Sequence, residues 1–147
     1  MGLDMYLYRK IYLYEIENCD ILNKQYKVNG KKLKFNEYDT ITTEIAYWRK
    51  ANAIHSWIVK NCCDGEDDCR THFIPYNRIK ELLCICKKVK KNKNLAEELL
   101  PTQSGFFFGS TDYDEYYFED IDLTIKQLQK ILKEYKNDFG FYYEASW

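Results

Sequence analysis

Proline and glycine are scarce: two and six in 147 residues. Long structureless loops are therefore not expected. No run approaches the ~20 apolar residues of a membrane span. The start, MGLDMYLYRK, lacks the basic-then-apolar order of a signal peptide. The chain thus reads as a cytoplasmic protein with no membrane partner. Its six cysteines, Cys19, Cys62, Cys63, Cys69, Cys84 and Cys86, are then expected to be mostly reduced. Excess positive charge is also missing. The formal net charge is -1, which argues against a nucleic-acid partner.

Several chemical signatures are absent too. The chain has no phosphate loop, dinucleotide glycine fingerprint, nucleophile elbow or paired-histidine metal motif. Cys63, Cys69 and His72 give C-x5-C-x2-H, without the paired C-x2-C knuckles of strong zinc sites. Asp64, Glu66 and Asp68 alternate as calcium ligands do, but no glutamate closes the loop. We expect no metal and no cofactor.

Aromatic residues are abundant, with 14 Tyr, 8 Phe and 3 Trp making 17% of the chain. Tyrosine has an apolar ring and a polar tip, so it lines half-wet walls as well as cores. Length and composition fit one domain spanning residues 1–147. The basic run Lys87, Lys88, Lys90, Lys91, Lys93 and the acidic runs at 64–68 and 112–122 read as solvated surface.

Met5 to Tyr14 alternates and reads as a strand. Asn29-Gly30 marks a hairpin turn. The segment from Thr43 to Cys62 has no glycine or proline and reads as one long helix, capped by Thr42 or Thr43. Residues 71–75 suggest a short strand. Asn77 then caps a helix over 78–91, and 95–100 forms a helical turn ended by Pro101. Between about Asp114 and Lys136, Tyr117, Ile121, Ile125, Leu128, Leu132 and Tyr135 form one apolar stripe at helical period. Gly140 to Trp147 reads as a closing strand beside the first. The simplest architecture is an α+β fold, with three main helices on a small, mostly antiparallel sheet.

Two constellations stand out. On the expected 43–62 helix, Trp48 and His55 share one side, with Arg49, Asn52 and Ser56 beside them. An indole to stack, a guanidinium to fork onto phosphate, an amide to read a ring edge and an imidazole suit a flat, charged ligand. The bland alternative makes Trp48 and His55 packing residues and pairs Arg49 with an acid on the last helix. The second constellation is LLPTQSGFFFGSTDYDEYY, residues 99–117. Here Thr102, Gln103, Ser104 and Gly105 offer ligand contacts. Phe106 to Phe108 reads as a buried strand that sends Phe107 to the opposite face. Asp112, Asp114 and Glu115 at the following helix start favour self-capping and would repel phosphate there.

The motifs MGLDMYLYRK, EIAYWRKANAIHSWIVKN followed by DGEDDC, LLPTQSGFFFGSTDYDEYYFED and the terminal ASW resemble those of a group of small bacteriophage and bacterial proteins. That resemblance covers most of the chain and thins between Asn18 and Thr42. It carries no settled activity. It implies a viral or prophage protein acting in the host bacterial cytoplasm. By analogy with small phage counter-defence factors, it implies sequestration of a nucleotide-derived immune signal, such as a cyclic nucleotide or an ADP-ribose derivative.

Three functions follow as expectations. The first is a binding module holding a nucleotide-like ligand between Trp48, Arg49, Asn52, His55 and the segment Thr102, Gln103, Ser104, Gly105 with Phe107. The second is a hydrolase or lyase on such a ligand, with His55 as acid/base; no other catalytic residue is read. The third is an inhibitor whose aromatic surface grips a host protein. Self-association is left open.

Overall fold

The computed structural model describes residues 2–16, 26–36 and 38–147. Four strands form one antiparallel sheet: β1 (Asp4–Tyr12), β4 (Thr40–Arg49), β5 (His72–Pro75) and β6 (Gly140–Ser146). Their spatial order is β4-β1-β6-β5. A separate hairpin pairs β2 (Tyr26–Val28) with β3 (Lys31–Leu33). Its turn puts Asn29 at φ 50 and Gly30 at φ 74, as a two-residue hairpin requires. The helices are α1 (Asn52–Cys62), α2 (Tyr76–Lys91), the short α3 (Ala96–Leu99) and α4 (Glu115–Glu134). This is the expected α+β architecture, with the closing strand beside the first. No described helix is long and apolar enough to cross a membrane.

Alternation builds the core. On β1, Met5 and Leu7 point inward; on β6, Phe141, Tyr143 and Ala145 do; on β4, Ala46 and Trp48 do. α4 lays Tyr117, Ile121, Ile125, Leu128 and Ile131 against this layer. Each such side chain contributes roughly 1.5–3 kcal/mol when fully buried. Ile131 carries the end of the stripe, and Leu132 and Tyr135 pack at its border. Asp114 accepts from Tyr117 N, so the helix start is self-capped as expected.

The expected 43–62 helix does not form. Its first part, up to Arg49, is the end of β4, and only Asn52–Cys62 is helical. Thr40, Ile41, Thr42, Thr43 and Ile45 are β-branched, and their χ1 restriction favours a strand. The break falls at Lys50, whose φ is 58, followed by Ala51 at φ -75, ψ 66. Asn52 N bonds Lys50 O at 2.8 Å across that inverse γ-turn. Neither Thr42 nor Thr43 caps a helix, and α2 starts after Pro75 rather than at Asn77.

The Phe106–Phe108 strand is likewise replaced by a tight turn, with Phe108 N bonding Gly105 O at 3.1 Å. Phe106 is 95% exposed and Phe108 is buried. Gly105 lies on the Phe108 ring, where an added Cβ would meet Cγ at 2.7 Å. The turn therefore requires glycine there.

Candidate functional site

Because residue 48 is on a strand, its neighbours differ from those of a helix. Trp48 is 1% exposed, and its indole N–H donates to Thr124 Oγ1 at 2.9 Å. Thr124, itself buried, donates back to the Asp120 carbonyl. Trp48 is a core residue and stacks on no ligand.

His55 is 0% exposed. Its Nδ1 lies 2.7 Å from Tyr143 Oη and its Nε2 lies 3.0 Å from Asp67 Oδ2. A carboxylate only accepts, so Nε2–H donates to Asp67, and in the neutral ring Nδ1 then accepts from the tyrosine hydroxyl. Asp67 also accepts from the Trp147 indole. Both ring nitrogens are engaged by the protein and the ring itself is fully buried, so His55 presents no open face to a ligand. Burial pushes the Tyr143 hydroxyl well above its ordinary range, which keeps it a donor. The space beside this chain is about 10 Å³, room for a single water.

Asn52 is 5% exposed and acts as a clamp. Its Nδ2 donates to Phe108 O and Ser110 O, and its Oδ1 accepts from Gln103 N at 3.0 Å. One amide at the start of α1 thus ties down three points of the glycine-bounded loop. Both of its N–H donors are taken by the protein and its oxygen already accepts one bond, so its first role is to hold the loop. Gln103 meets Asn52 through its backbone, while Ser104, Gly105 and Phe107 lie outside the cavity described next.

That cavity lies between the end of β4, the start of α1, the loop and the first half of α4. Its volume is about 370 Å³, within the ~300–1,000 Å³ of small-molecule sites. Of the expected site residues it gathers Arg49, Asn52 and Thr102. Thr102 is held by hydrogen bonds to Thr111 O and from its own N–H to the Tyr113 hydroxyl. The remaining polar lining is Lys50, Ser110, Asp112, Asp114, Tyr116, Glu119 and Asp120.

Two cations thus share a cavity with four carboxylates, and no ion pair joins them among the described residues. Asp114 caps α4, and Asp112 accepts from Ser110 Oγ. Glu119 and Asp120 carry no such bond on their carboxylates. A Cβ added at Gly2 would lie 3.1 Å from Lys50 Cε and 3.9 Å from Arg49 Nη2, so both cationic chains pass the same glycine. Gly109, at φ 86, flanks the Lys50 stem from the other side. Burial, with Glu119 and Asp114 nearby, pushes the Asp120 carboxyl up to about 6. A half-buried carboxyl titrating near neutrality inside a cleft is a marker of a functional site.

The sequence reading missed Lys50, Glu119 and Asp120. Lys50 hides at a turn without glycine or proline. Asp120 did leave a signal, because it interrupts the inner side of α4 between Tyr117, Ile121 and Thr124. A carboxyl set into an apolar stripe needs a partner or a reason.

Burial raises the Cys62 thiol to about 11 and Cys63 and Cys86 to about 12, so all three stay protonated. Among the described residues no three His, Cys, Asp or Glu side chains are grouped to hold an ion. No family model, no curated protein and no solved structure matches this chain.

Proposed function

We propose that the protein is a small-molecule binder whose ligand sits in the β4–α1–α4 cavity and bridges its two charge signs. One observation carries this reading: Arg49 and Lys50 share an open cavity with Glu119 and Asp120, yet among the described residues no ion pair neutralises them. A dipolar ligand satisfies both sets at once. Its anionic group meets the guanidinium and the ammonium. Its donor-bearing edge meets the carboxylates, which only accept. A singly charged nucleotide with a donor-rich base, such as a guanine-type cyclic monophosphate, has both ends. Tyr116 offers its ring at the wall.

Carboxylates outnumber cations in the lining, which disfavours polyphosphates and ADP-ribose-like diphosphates. The cellular role we propose, sequestering a nucleotide-derived signal as a phage counter-defence factor in the bacterial cytoplasm, rests on the motif resemblance alone.

The test is a thermal-shift panel of nucleoside monophosphates, cyclic mononucleotides and ADP-ribose, with mass spectrometry of molecules released on denaturing the purified protein. A singly charged purine nucleotide is expected to raise Tm, and Arg49→Gln with Lys50→Gln to abolish the rise. No shift with any nucleotide, or a shift untouched by the double substitution, overturns the reading.

A second reading is favoured by Asp120 alone. A carboxyl near 6 is poised as a general acid or base, so turnover would run through Asp120 and not His55. Recovery of the bound ligand unchanged excludes it. A product that Asp120→Asn fails to make supports it.

A further inference from the structure

The helices cover one face of the sheet, and no described element covers the other. Register places Asp4, Tyr6, Tyr8 and Lys10 of β1 on this open face. Tyr47 stands beside Tyr6 and Glu44 beside Tyr8 on β4; Glu144 and Tyr142 stand beside the same two tyrosines on β6. Phe73 extends the face on β5. The rings meet in two groups, Tyr6 with Tyr8 and Tyr47, and Phe73 with Tyr142. Tyr6 stacks on Tyr8 with centroids 6.0 Å apart and meets Tyr47 at a tilt at 5.3 Å, and Phe73 meets Tyr142 edge-on at 5.5 Å.

We propose that this open face is a docking surface for a cationic protein segment, one rich in lysine or arginine. Charge selects that partner. Asp4, Glu44 and Glu144 outnumber Lys10 and Arg49 on the face. Burial first, and then the nearby Glu144 and Glu44, oppose the ionisation of Tyr8. Rings bordered by carboxylates attract cations twice over, through the π-face and through the charge. The face already shows the chemistry internally, because Lys10 Nζ sits 4.4 Å over the Tyr142 ring. The same negative field repels a phosphate backbone, so a stacked nucleic acid is disfavoured despite the aromatic platform. Of the residues named on this surface, Arg49 also lines the proposed ligand cavity; the others lie apart from it, and neither reading depends on the other.

The experiment titrates the full chain with a fluorescent Lys/Arg decapeptide at low salt. Binding is followed by anisotropy, and the tyrosine ring signals are followed by NMR. Expected are saturable binding, shifts confined to Tyr6, Tyr8, Tyr47 and Tyr142, and at least tenfold weaker binding in Glu44→Gln/Glu144→Gln. Asp64→Asn/Glu66→Gln, in the exposed acidic loop, should leave affinity unchanged. The ring shifts are read on the unaltered chain, so they decide even if the first double variant misfolds. An equal loss in both double variants, no ring shifts, tighter binding of oligothymidylate, or ultracentrifugation showing that a second copy occupies the face would each overturn the proposal.

Discussion

The indole N–H of Trp48 and the hydroxyl of Thr124 meet at 2.9 Å inside the core, and this bond fixes where α4 lies along the edge of the sheet. One turn further along, Gln127 bonds both N–H and C=O of Tyr47, continuing the same seam. One turn back, Asp120 is delivered to the cavity. Thr124→Val leaves the buried indole donor unpaired, which costs about 1–3 kcal/mol. Trp48→Ala costs about 3–5 kcal/mol by cavity formation. Urea titration measures both. At temperatures where the variants stay folded, Thr124→Val should keep ligand affinity within about threefold, because neither Trp48 nor Thr124 lines the cavity.

Asp120 gives a pH signature. Its folded value of about 6 lies above its ordinary 3.8. Below 3.8 the carboxyl is protonated in both states and costs nothing. Between 3.8 and 6 the unfolded chain releases its proton first, so folding loses stability as pH rises, and the loss is complete above 6. Allowing for its partial exposure, the penalty is about 1–2 kcal/mol. Asp120→Asn should therefore stabilise the protein by that amount at pH 7.5 and leave it unchanged at pH 3.5. Thermal melts at the two pH values check this. The same variant should bind the ligand at least tenfold more weakly at pH 7.5.

Lys50 carries a left-handed backbone without being glycine. Relieving that conformation with Lys50→Gly is expected to stabilise the chain by about 1 kcal/mol. It also removes one of the two cavity cations, so the nucleotide-induced rise in Tm should shrink or vanish. A more stable protein that binds less is the outcome that marks Lys50 as a functional compromise. Equal or tighter binding would count against it.

His55→Gln tests the His55–Tyr143–Asp67 chain. It disturbs the bonds with Tyr143 and Asp67 around a buried ring, at a cost of about 1–3 kcal/mol in chemical denaturation. Ligand affinity at low temperature should stay unchanged, and so should any turnover. A large loss of activity without loss of stability would reinstate His55 as a reacting group.

Legibility followed the strength of local patterns. The α4 stripe, the alternation of β1 and the Asn29-Gly30 turn each state their structure in one stretch of chain. The β4–α1 junction does not. TEIAYWRKANAIHSW has no breaker, and its reading as a helix placed Trp48 and His55 on one surface. The fold instead turns at Lys50 and sends both inward by separate routes. Their partners, Thr124, Tyr143 and Asp67, are supplied by other elements, and long-range pairing leaves no mark at short spacing. The cavity was half visible for the same reason. Arg49 and Asn52 were noticed as polar groups on the expected helix and Thr102 as one in the loop, whereas Asp120 looked like one more surface acid.

The Asn52 clamp has a kinetic corollary. One amide holds the loop at Gln103, Phe108 and Ser110, so that wall cannot peel away residue by residue; it stays shut or lets go as a whole. A ligand meeting so stiff a rim should enter without rearranging it, giving stopped-flow traces with one exponential whose rate climbs linearly with concentration. Cutting the tether with Asn52→Ala should add a second, concentration-independent step, the signature of a rim that must first find its shape.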